Sequence, residues 1–327
     1  MISDPTQIQK KATRDGVGDA LLELGGKRSQ VWVLTADLSA SMKVDQFAKL
    51  YPDRFIQCGV AEQNMMGIAA GLALTGKVPF VTSFGVFSPG RNWDQLRVSV
   101  CYSRANVKII GGHTGLGTGA DGATHQALED IAITRVLPNL TVIVPCDAIE
   151  TKKAILAASL TEDPTYIRVG REPSPLLTTN STPFVIGKAQ VWHEGSDVTI
   201  IGSGPLLFEA LKAREILENK RISCEVINLS TIKKIDRETI LRSTKKTQCV
   251  VTVEDHQVAG GVGSSVAEVL ASEYPAPIEF VGMRDTFGQS GSPRELYTHY
   301  EMDSMSIVKA VQRAISRKTK QKLLQYL

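Results

Sequence analysis

The sequence has 327 residues, of which 43% are hydrophobic and 22% are charged, and its formal net charge is +3. This length allows two globular domains, and the small net charge argues against nucleic acid as the main partner, because a phosphate backbone is bound by a dense basic stripe. No run approaches the roughly 18 apolar residues of a membrane helix, so we expect no membrane partner.

The first 16 residues, MISDPTQIQKKATRDG, are polar and contain no apolar core, unlike a secretory signal. The five cysteines are odd in number, scattered and without a CxxC pair, which indicates neither a disulfide framework nor a zinc knuckle. We therefore expect an unprocessed protein of the reducing cytoplasm.

Short apolar, β-branched runs recur along the chain, and each is typical of a buried strand. They are VWVLTADL, KVPFVTSF, NVKIIGG, LTVIVP, TYIRVG, DVTIIGSG, ISCEVINL, CVVTVED and IEFVGM. Helical patterns alternate with them, namely AEQNMMGIAAGLAL, HQALEDIAITRVL, DAIETKKAILAASL and PLLFEALKAREILENK. This alternation predicts an α/β protein with doubly wound, mainly parallel sheets.

The segment GREPSPLLTTNSTPFVIGKAQV, residues 170–191, is rich in Pro, Ser and Thr and has no helical period. Such a composition is typical of a linker. We therefore expect one domain over residues 1–180 and a second over 190–327. The basic tail SRKTKQKLLQYL is interpreted as the solvated end of a last helix, with docking to a partner as the alternative.

Glu62 stands at the start of a helical segment that is otherwise small and apolar. It is either a first-turn glutamate favoured by the helix dipole or a buried acid that serves a cofactor, because a buried carboxylate needs a specific partner. Phe84 and Phe87 follow a strand and are either core residues or a platform for a flat heterocycle.

The stretch HTGLGTGADGATHQ contains a GxGxxG pattern between Gly117 and Gly122. In a dinucleotide fold these glycines open a helix, whereas here they are interleaved with His113, Asp121 and His125. Titratable groups favour a site that handles a polar substrate and protons. A zinc site from the same three residues is the alternative, but a glycine-rich loop lacks the rigid spacing of zinc ligands.

Five segments, in this order and spacing, resemble transketolase, the thiamine diphosphate enzyme that moves two-carbon units between sugar phosphates. They are ADLSAS, RFIQCGVAEQNMMGIAAGLAL, TSFGVF, HTGLGTGADGATHQ and YIRVGR. The resemblance covers essentially the whole chain, and it is to the carboxyl half of a full-length transketolase only: the pyrimidine-binding domain and the carboxyl-terminal domain.

The resemblance also implies that a divalent metal, bound by a Gly-Asp-Gly motif and a later asparagine, anchors the cofactor diphosphate. The sequence contains no such motif, so this chain lacks the hard oxygen ligands that Mg²⁺ needs. We therefore expect no metal on this chain. We expect an amino-terminal partner subunit that holds the Mg²⁺ and the diphosphate, and a heterotetramer of the two kinds of chain. We also expect substrates of the pentose phosphate type.

For the cofactor, the resemblance implies that Glu62 hydrogen-bonds a ring nitrogen of the aminopyrimidine and favours the imino tautomer that deprotonates the thiazolium carbon. Phe84 and Phe87 are implied to form a wall around the pyrimidine, where Gly90 replaces the third aromatic residue of the family. Asp37 is implied to lie near the cofactor.

For the sugar phosphate, the resemblance implies that Ser41 lies near the phosphate and that His113 lies at the phosphate end. Asp121 is implied to bind a hydroxyl, and His125 is implied to carry protons at the reacting hydroxyls. Arg14 and Arg171 are implied to bind the phosphate. The planar fork of arginine suits phosphate. The loop glycines are expected to let the loop approach the sugar closely.

Three alternatives remain at this point. Deoxyxylulose 5-phosphate synthase shares GVAEQ and ADGATHQ, and the beta subunit of 2-oxoacid dehydrogenases is a separate chain of the same layout. A non-catalytic docking partner is the third. In the second domain, EDHQVAGGVGSSVAEVL offers Glu254, Asp255 and His256 near Ser264 and Ser265, but caps and turns explain the serines and glycines more simply.

Overall fold

The computed structural model describes residues 9–324, so the predicted unprocessed start and the last three residues of the basic tail lie outside the described residues. The strands are β1 (Lys10–Ala12), β2 (Val31–Thr35), β3 (Phe55–Gln57), β4 (Val78–Phe84), β5 (Lys108–Gly112), β6 (Thr141–Ile143), β7 (Thr165–Arg168), β8 (Pro173–Pro175), β9 (Gln190–His193), β10 (Val198–Gly202), β11 (Cys224–Asn228), β12 (Thr231–Lys233), β13 (Val250–Gln257) and β14 (Ile278–Met283). The helices are α1 (Thr13–Lys27), α2 (Asp45–Leu50), α3 (Glu62–Leu74), α4 (Trp93–Gln95), which continues as a π-helical segment (Leu96–Tyr102), α5 (Asp130–Arg135), α6 (Ala148–Ala158), α7 (Leu207–Glu218), α8 (Arg237–Thr247), α9 (Val262–Glu273), α10 (Pro293–His299) and α11 (Ser304–Leu324).

Two sheets dominate the described chain, and both are mainly parallel. The first has seven strands in the order β12-β6-β7-β5-β4-β2-β3, and the second has five in the order β14-β13-β10-β11-β9. Only β12 and β9, each at an edge, pair antiparallel with their neighbours. The apolar runs predicted as buried strands form the interior of these sheets, which confirms the α/β fold class.

Helix α1 is a helix that the sequence pattern does not predict, because glycine weakens a helix in isolation. The structure shows why glycine stands here. A Cβ atom on Gly16 would lie 2.2 Å from the carbonyl oxygen of Ala148 at the start of α6. Close approach of the two helices therefore stabilises α1 and fixes its first turn, which carries Arg14.

Helix α5 is shorter than the pattern HQALEDIAITRVL predicts, since it begins only at Asp130. The residues before it are committed to other contacts. Gln126 Nε2 donates to the carbonyls of Gly119 at 3.3 Å and Gln289 at 3.0 Å, and Ala127 forms a bridge with Thr114. Tertiary contacts thus override the local helical pattern.

The buried side chain of Arg168, at the carboxyl end of β7, joins the two halves of the chain. Its Nε donates to Asp130 Oδ2 at 2.8 Å, and its Nη2 donates to the carbonyls of Ala127 at 2.9 Å and Asp255 at 2.8 Å. Tyr166 donates to the same carboxylate at 2.7 Å. The buried ion pair is therefore tied by hydrogen bonds to both halves of the chain.

The basic tail continues α11, as the sequence predicts, but the charges there are not simply solvated. Arg313 and Arg317 pair with Glu279 at 2.9 and 2.8 Å, and Lys318 donates to the carbonyl of Asp197 at 2.6 Å. These contacts lie within the second half of the chain itself. None of the described helices is long and apolar enough to cross a membrane.

Arg168→Met should lower the free energy of unfolding by about 3–5 kcal/mol, because it leaves the buried carboxylate of Asp130 without its cation. Arg237→Met is the matched control, since Arg237 forms an exposed pair with Glu273 and should cost about 1 kcal/mol or less. Urea unfolding of the two variants measures the difference. An equal loss in both would contradict a dominant role for the buried pair.

Candidate active site

The residues predicted to do chemistry gather at one edge of the seven-stranded sheet. Asp37, Phe84, His113 and Arg171 each follow the carboxyl end of a strand, namely β2, β4, β5 and β7, and these strands are neighbours in register. Ligands of open parallel sheets bind at this edge. The sequence placed these residues after strands, and the topology brings them together.

Glu62 is the first residue of α3, and its carboxylate is buried. Its side chain is 1% exposed, and its Oε2 accepts from Arg91 Nη1 at 2.6 Å. Asn92 Nδ2 donates to the backbone carbonyl of Glu62 at 3.2 Å. The half-exposed guanidinium of Arg91 is therefore the specific partner that a buried carboxylate requires.

An aromatic cluster lies beside this pair. The rings of Phe84 and Phe87 stack with centroids 6.0 Å apart, and His113 stacks on Phe84 at 3.6 Å. His125 meets Phe87 edge-on at 5.7 Å. Offset and edge-on contacts of this kind are favourable, so the four rings form a continuous wall.

Glycine stands at position 90, where the resemblance implies a third aromatic residue, and sterics explain it. A Cβ atom there would lie 2.1 Å from the carbonyl oxygen of Val86, so this backbone leaves no room for a side chain. The guanidinium of Arg91 instead covers the Phe87 ring at 4.6 Å, a cation–π contact. The wall is thus completed by a cation and not by a third ring.

Arg14 and His113 form a second, polar group next to the aromatic wall. Arg14 Nη1 donates to the carbonyl of Ser41 at 2.9 Å and lies 3.5 Å from His113 Nε2. Burial, together with the charges of Arg14 and Arg171, lowers the pKa of His113 to about 3. The ring is therefore neutral, and because guanidinium only donates, its proton belongs on Nδ1.

Two donors in this group are buried without a hydrogen-bond partner within residues 9–324: Arg14 Nε and His113 Nδ1. A buried donor left unpaired costs about 1–3 kcal/mol. Both atoms belong to residues that the sequence places at a phosphate. An anionic or hydroxyl-bearing ligand would satisfy them.

Arg171 pairs with Asp121 of the glycine loop, which we define as residues 113–122. Arg171 Nη1 donates to Asp121 Oδ1 at 2.7 Å and to the carbonyl of Thr118 at 3.4 Å. The zinc alternative gains no support, because the described part of the chain contains no group of three or more His, Cys, Asp or Glu side chains that could hold a metal.

Asp37, Ser41 and His125 differ in their contacts with the other predicted residues. Asp37 is exposed, and its amide donates to Gln57 Oε1 at 2.7 Å. Ser41 contributes its backbone carbonyl to Arg14. His125 belongs to the aromatic wall, and its Nδ1 lies 2.9 Å from Thr124 Oγ1.

The acidic segment of the second domain holds other elements in place. Glu254 accepts the first two backbone amides of α9 at 2.6 and 2.8 Å, and His256 Nε2 accepts an amide of α5 at 3.2 Å. Ser264 and Ser265 donate to carbonyls of the preceding turn at 2.9 and 3.4 Å. Both serines lie in the first turn of α9, where their hydroxyls bond to the preceding turn and do not cap the helix, while Asp255 reaches the glycine loop.

Sequence reasoning missed Arg91, and it named Asp255 only within the acidic segment of the second domain, without a contact to the glycine loop. Arg91 had a local signal, because a cation directly follows the position where an aromatic residue is absent. The contact of Asp255 with the loop had no signal, because its partner Leu116 is 139 positions away. Only the packing of the two halves reveals it.

Two protein families match the chain: the transketolase pyrimidine-binding domain over residues 9–175 and the transketolase carboxyl-terminal domain over 187–307. A protein of Methanocaldococcus jannaschii named as a transketolase C-terminal section is 45% identical over 92% of this chain and 95% of its own length. The 6-deoxy-6-sulfo-D-fructose transketolase subunit SqwH of a Clostridium species is 39% identical over 95% and 97%.

The chain spans about half of longer relatives. Human transketolase is 36% identical over 94% of this chain, which covers 50% of the human protein. A solved structure described as a split gene transketolase, inactive beta4 tetramer, is 45% identical with a TM-score of 0.88, over 94% of this chain and 99% of that one. Likeness at this level extends to the fold of both domains.

The neutral state of His113 gives a pH prediction. Its pKa of about 3 in the fold lies below the ordinary value of about 6.5, so its contribution to stability is fully present above about pH 6.5 and is lost as the pH falls toward 3. Between pH 6.5 and 4, His113→Gln should therefore lose less stability than the wild type. Denaturant unfolding across this range measures the slopes, and identical slopes would contradict a neutral, buried ring.

Proposed function

The chain belongs to the transketolase family, and we propose that it is the carboxyl-terminal subunit of a split, thiamine-diphosphate-dependent transketolase. The enzyme transfers a two-carbon ketol unit from a ketose phosphate to an aldose phosphate. The observation that carries this proposal is the buried Glu62 at the start of α3, beside the stacked rings of Phe84 and Phe87.

These residues fit the aminopyrimidine half of thiamine diphosphate. Phe84 and Phe87 offer flat apolar faces, and Glu62 offers a buried carboxylate at their rim, joined to Phe87 through Arg91. When bound, the cofactor supplies the nucleophilic carbon and the electron sink for two-carbon transfer. Glu62 would hydrogen-bond a ring nitrogen of the pyrimidine, and Asp37, after the neighbouring strand β2, would lie near the cofactor.

The polar groups of the site fit a sugar with an anionic end. Arg14 and Arg171 supply positive charge there, and Arg14 Nε and His113 Nδ1, which have no partner within residues 9–324, would donate to oxygen atoms of the sugar or its anionic group. Asp121 accepts from a hydroxyl, and His125, at the edge of the aromatic wall, moves protons at the reacting hydroxyls. Ser41 lies beside Arg14, at the phosphate end.

The anionic group need not be a phosphate, since relatives of this chain differ in their named sugars. One is named for 6-deoxy-6-sulfo-D-fructose, and another, from Phocaeicola vulgatus, for apulose-4-phosphate. Guanidinium groups bind both sulfonate and phosphate oxygens. For this chain we propose sugar phosphates of the pentose phosphate type, and a cytoplasmic location on the pattern of its cysteines.

We further propose an amino-terminal partner subunit that holds the diphosphate and the Mg²⁺, in a heterotetramer of two chains of each kind. The face of α3 beyond Glu62 supports a partner surface. Gly67 and Gly71 have open space around them, and Leu74 and nearby Val60 are 68% and 73% exposed. Exposed apolar surface next to a buried carboxylate is typical of an interface. The solved split transketolase that contains beta chains is described as inactive.

Glu62→Gln should lower two-carbon transfer by the reconstituted pair about 100-fold or more, because a properly placed carboxyl group contributes about 10²–10⁴-fold to proton chemistry. Turnover is measured with xylulose 5-phosphate and ribose 5-phosphate. Glu218→Gln is the control, since Glu218 is an exposed residue of α7 paired with Arg214, and it should leave turnover unchanged.

Unchanged activity in Glu62→Gln would leave the docking-partner alternative standing. Turnover of pyruvate with glyceraldehyde 3-phosphate, in place of the two sugar phosphates, would instead favour the deoxyxylulose phosphate synthase alternative. The assays therefore separate a wrong residue from a wrong reaction.

The isolated chain should bind thiamine diphosphate with Mg²⁺ weakly, because no described cluster of acidic side chains and histidines could hold the metal, and the diphosphate then has no anchor. Calorimetry of this chain alone, and then of the reconstituted pair, measures the difference. Tight, Mg²⁺-dependent binding by the isolated chain would contradict a site shared between two subunits.

A further inference from the structure

The glycine loop has two sides. Its front carries His113 and Asp121, which face Arg14 and Arg171. Its back lies against the second half of the chain. The loop is therefore a sheet-edge segment pressed between the candidate substrate site and the carboxyl-terminal domain.

The glycines of the loop are required by this back side. A Cβ atom on Gly115 would lie 2.1 Å from Asp255 Oδ2, and one on Gly122 would lie 2.6 Å from Ser290 Oγ. Gly115 and Gly122 also adopt φ values of 74° and 73°, which favour glycine. Close packing on the carboxyl-terminal domain thus accounts for these glycines.

Asp255 of that domain hydrogen-bonds the backbone of the loop, and we call these bonds the grip. Its Oδ1 accepts the amide of Leu116 at 2.9 Å, and its Oδ2 accepts the amide of Gly117 at 3.3 Å and the hydroxyl of Tyr297 at 2.8 Å. The carbonyl of Asp255 in turn accepts from Arg168 at 2.8 Å. Buried amides need such partners, so the carboxylate selects one loop conformation.

This grip acts close to both ends of the substrate site. Gly115 and Gly117 flank Leu116, and only Thr114 separates Gly115 from His113, whose ring stacks on Phe84. A loop that shifts would move the His113 ring and, at its other end, Asp121. Misplacement of binding groups by about 1 Å costs up to about 100-fold in rate.

We propose that Asp255, supported by Tyr297, is a positioning residue that holds the glycine loop in its substrate-binding conformation. The carboxyl-terminal domain thereby contributes to substrate affinity without touching substrate. This inference rests on the proposed function for the identity of the substrate, but the grip itself is a property of the chain.

The test uses Asp255→Asn, which keeps one acceptor and removes the charge, and Tyr297→Phe, which removes one bond and leaves the carboxylate in place. Tyr300→Phe is the matched control, because the Tyr300 hydroxyl donates to the Phe287 carbonyl at 3.2 Å. In the reconstituted enzyme, Asp255→Asn should raise the KM for the ketose phosphate about 10-fold or more while kcat changes less. Tyr297→Phe should give a smaller change in the same direction.

A second readout needs no activity. Amide hydrogen exchange at Leu116 and Gly117 should be about 10-fold faster in Asp255→Asn, and the NMR signal of the His113 ring should move as its stacking on Phe84 changes. Amides of the core strand β5 should exchange as in the wild type, which separates a local effect from loss of the fold.

The outcomes distinguish this inference from the proposed function. A wild-type pair without two-carbon transfer would overturn the function, and hydrogen exchange together with the His113 signal would still decide the grip. An active pair in which KM and the His113 signal of Asp255→Asn match those of Tyr300→Phe would overturn the positioning role. A rise in KM with unchanged loop exchange would overturn it as well.

Discussion

The active-site edge depends on one buried cation, the guanidinium of Arg168. Burial lowers the pKa of Arg168, but the carboxylates of Asp130 and Asp255 more than offset this and hold it above its ordinary value. One nitrogen binds Asp130, and another ties together the carbonyls of Ala127 and Asp255. A charge in this position is compensated by the carboxylate of Asp130 and by the two carbonyls that Arg168 Nη2 binds.

This joint connects the carboxyl-terminal domain to the candidate site. The backbone carbonyl of Asp255 accepts from Arg168, and its carboxylate accepts from the glycine loop. The contacts therefore run from β7 through β13 to the loop, which begins at His113. Both hydrogen bonds are short and buried.

On the proposed cofactor side of the site, around Glu62, charge is compensated in a different way. Glu62 is buried at the rim of the chain, and its charge is met by Arg91, a half-exposed side chain that also covers Phe87. A carboxylate with a flexible cation at its outer side suits a half-site, because the cation compensates the charge while one face of α3 stays open. A side chain at position 90 would clash with the backbone carbonyl of Val86, so a third ring has no room there and Arg91 covers Phe87 instead.

The sequence by itself determined the fold class and most of the site. Buried parallel strands read as continuous apolar runs, and residues just after such runs, including Phe84, His113 and Arg171, must meet at one edge of the sheet. Local pattern singled out Glu62, and a resemblance to one family implied a cofactor role for it.

Only the tertiary structure decided the rest, because the deciding contacts are distant in sequence. Arg91 lies 29 positions from Glu62, and Asp255 lies 139 positions from Leu116. Helix α1 forms although it is rich in glycine, since Gly16 allows α6 to pack closely. Helix α5 starts late because the residues before it bond to the glycine loop and to the second domain. Local pattern reports which face of an element is buried, but the partner that buries it is chosen by packing.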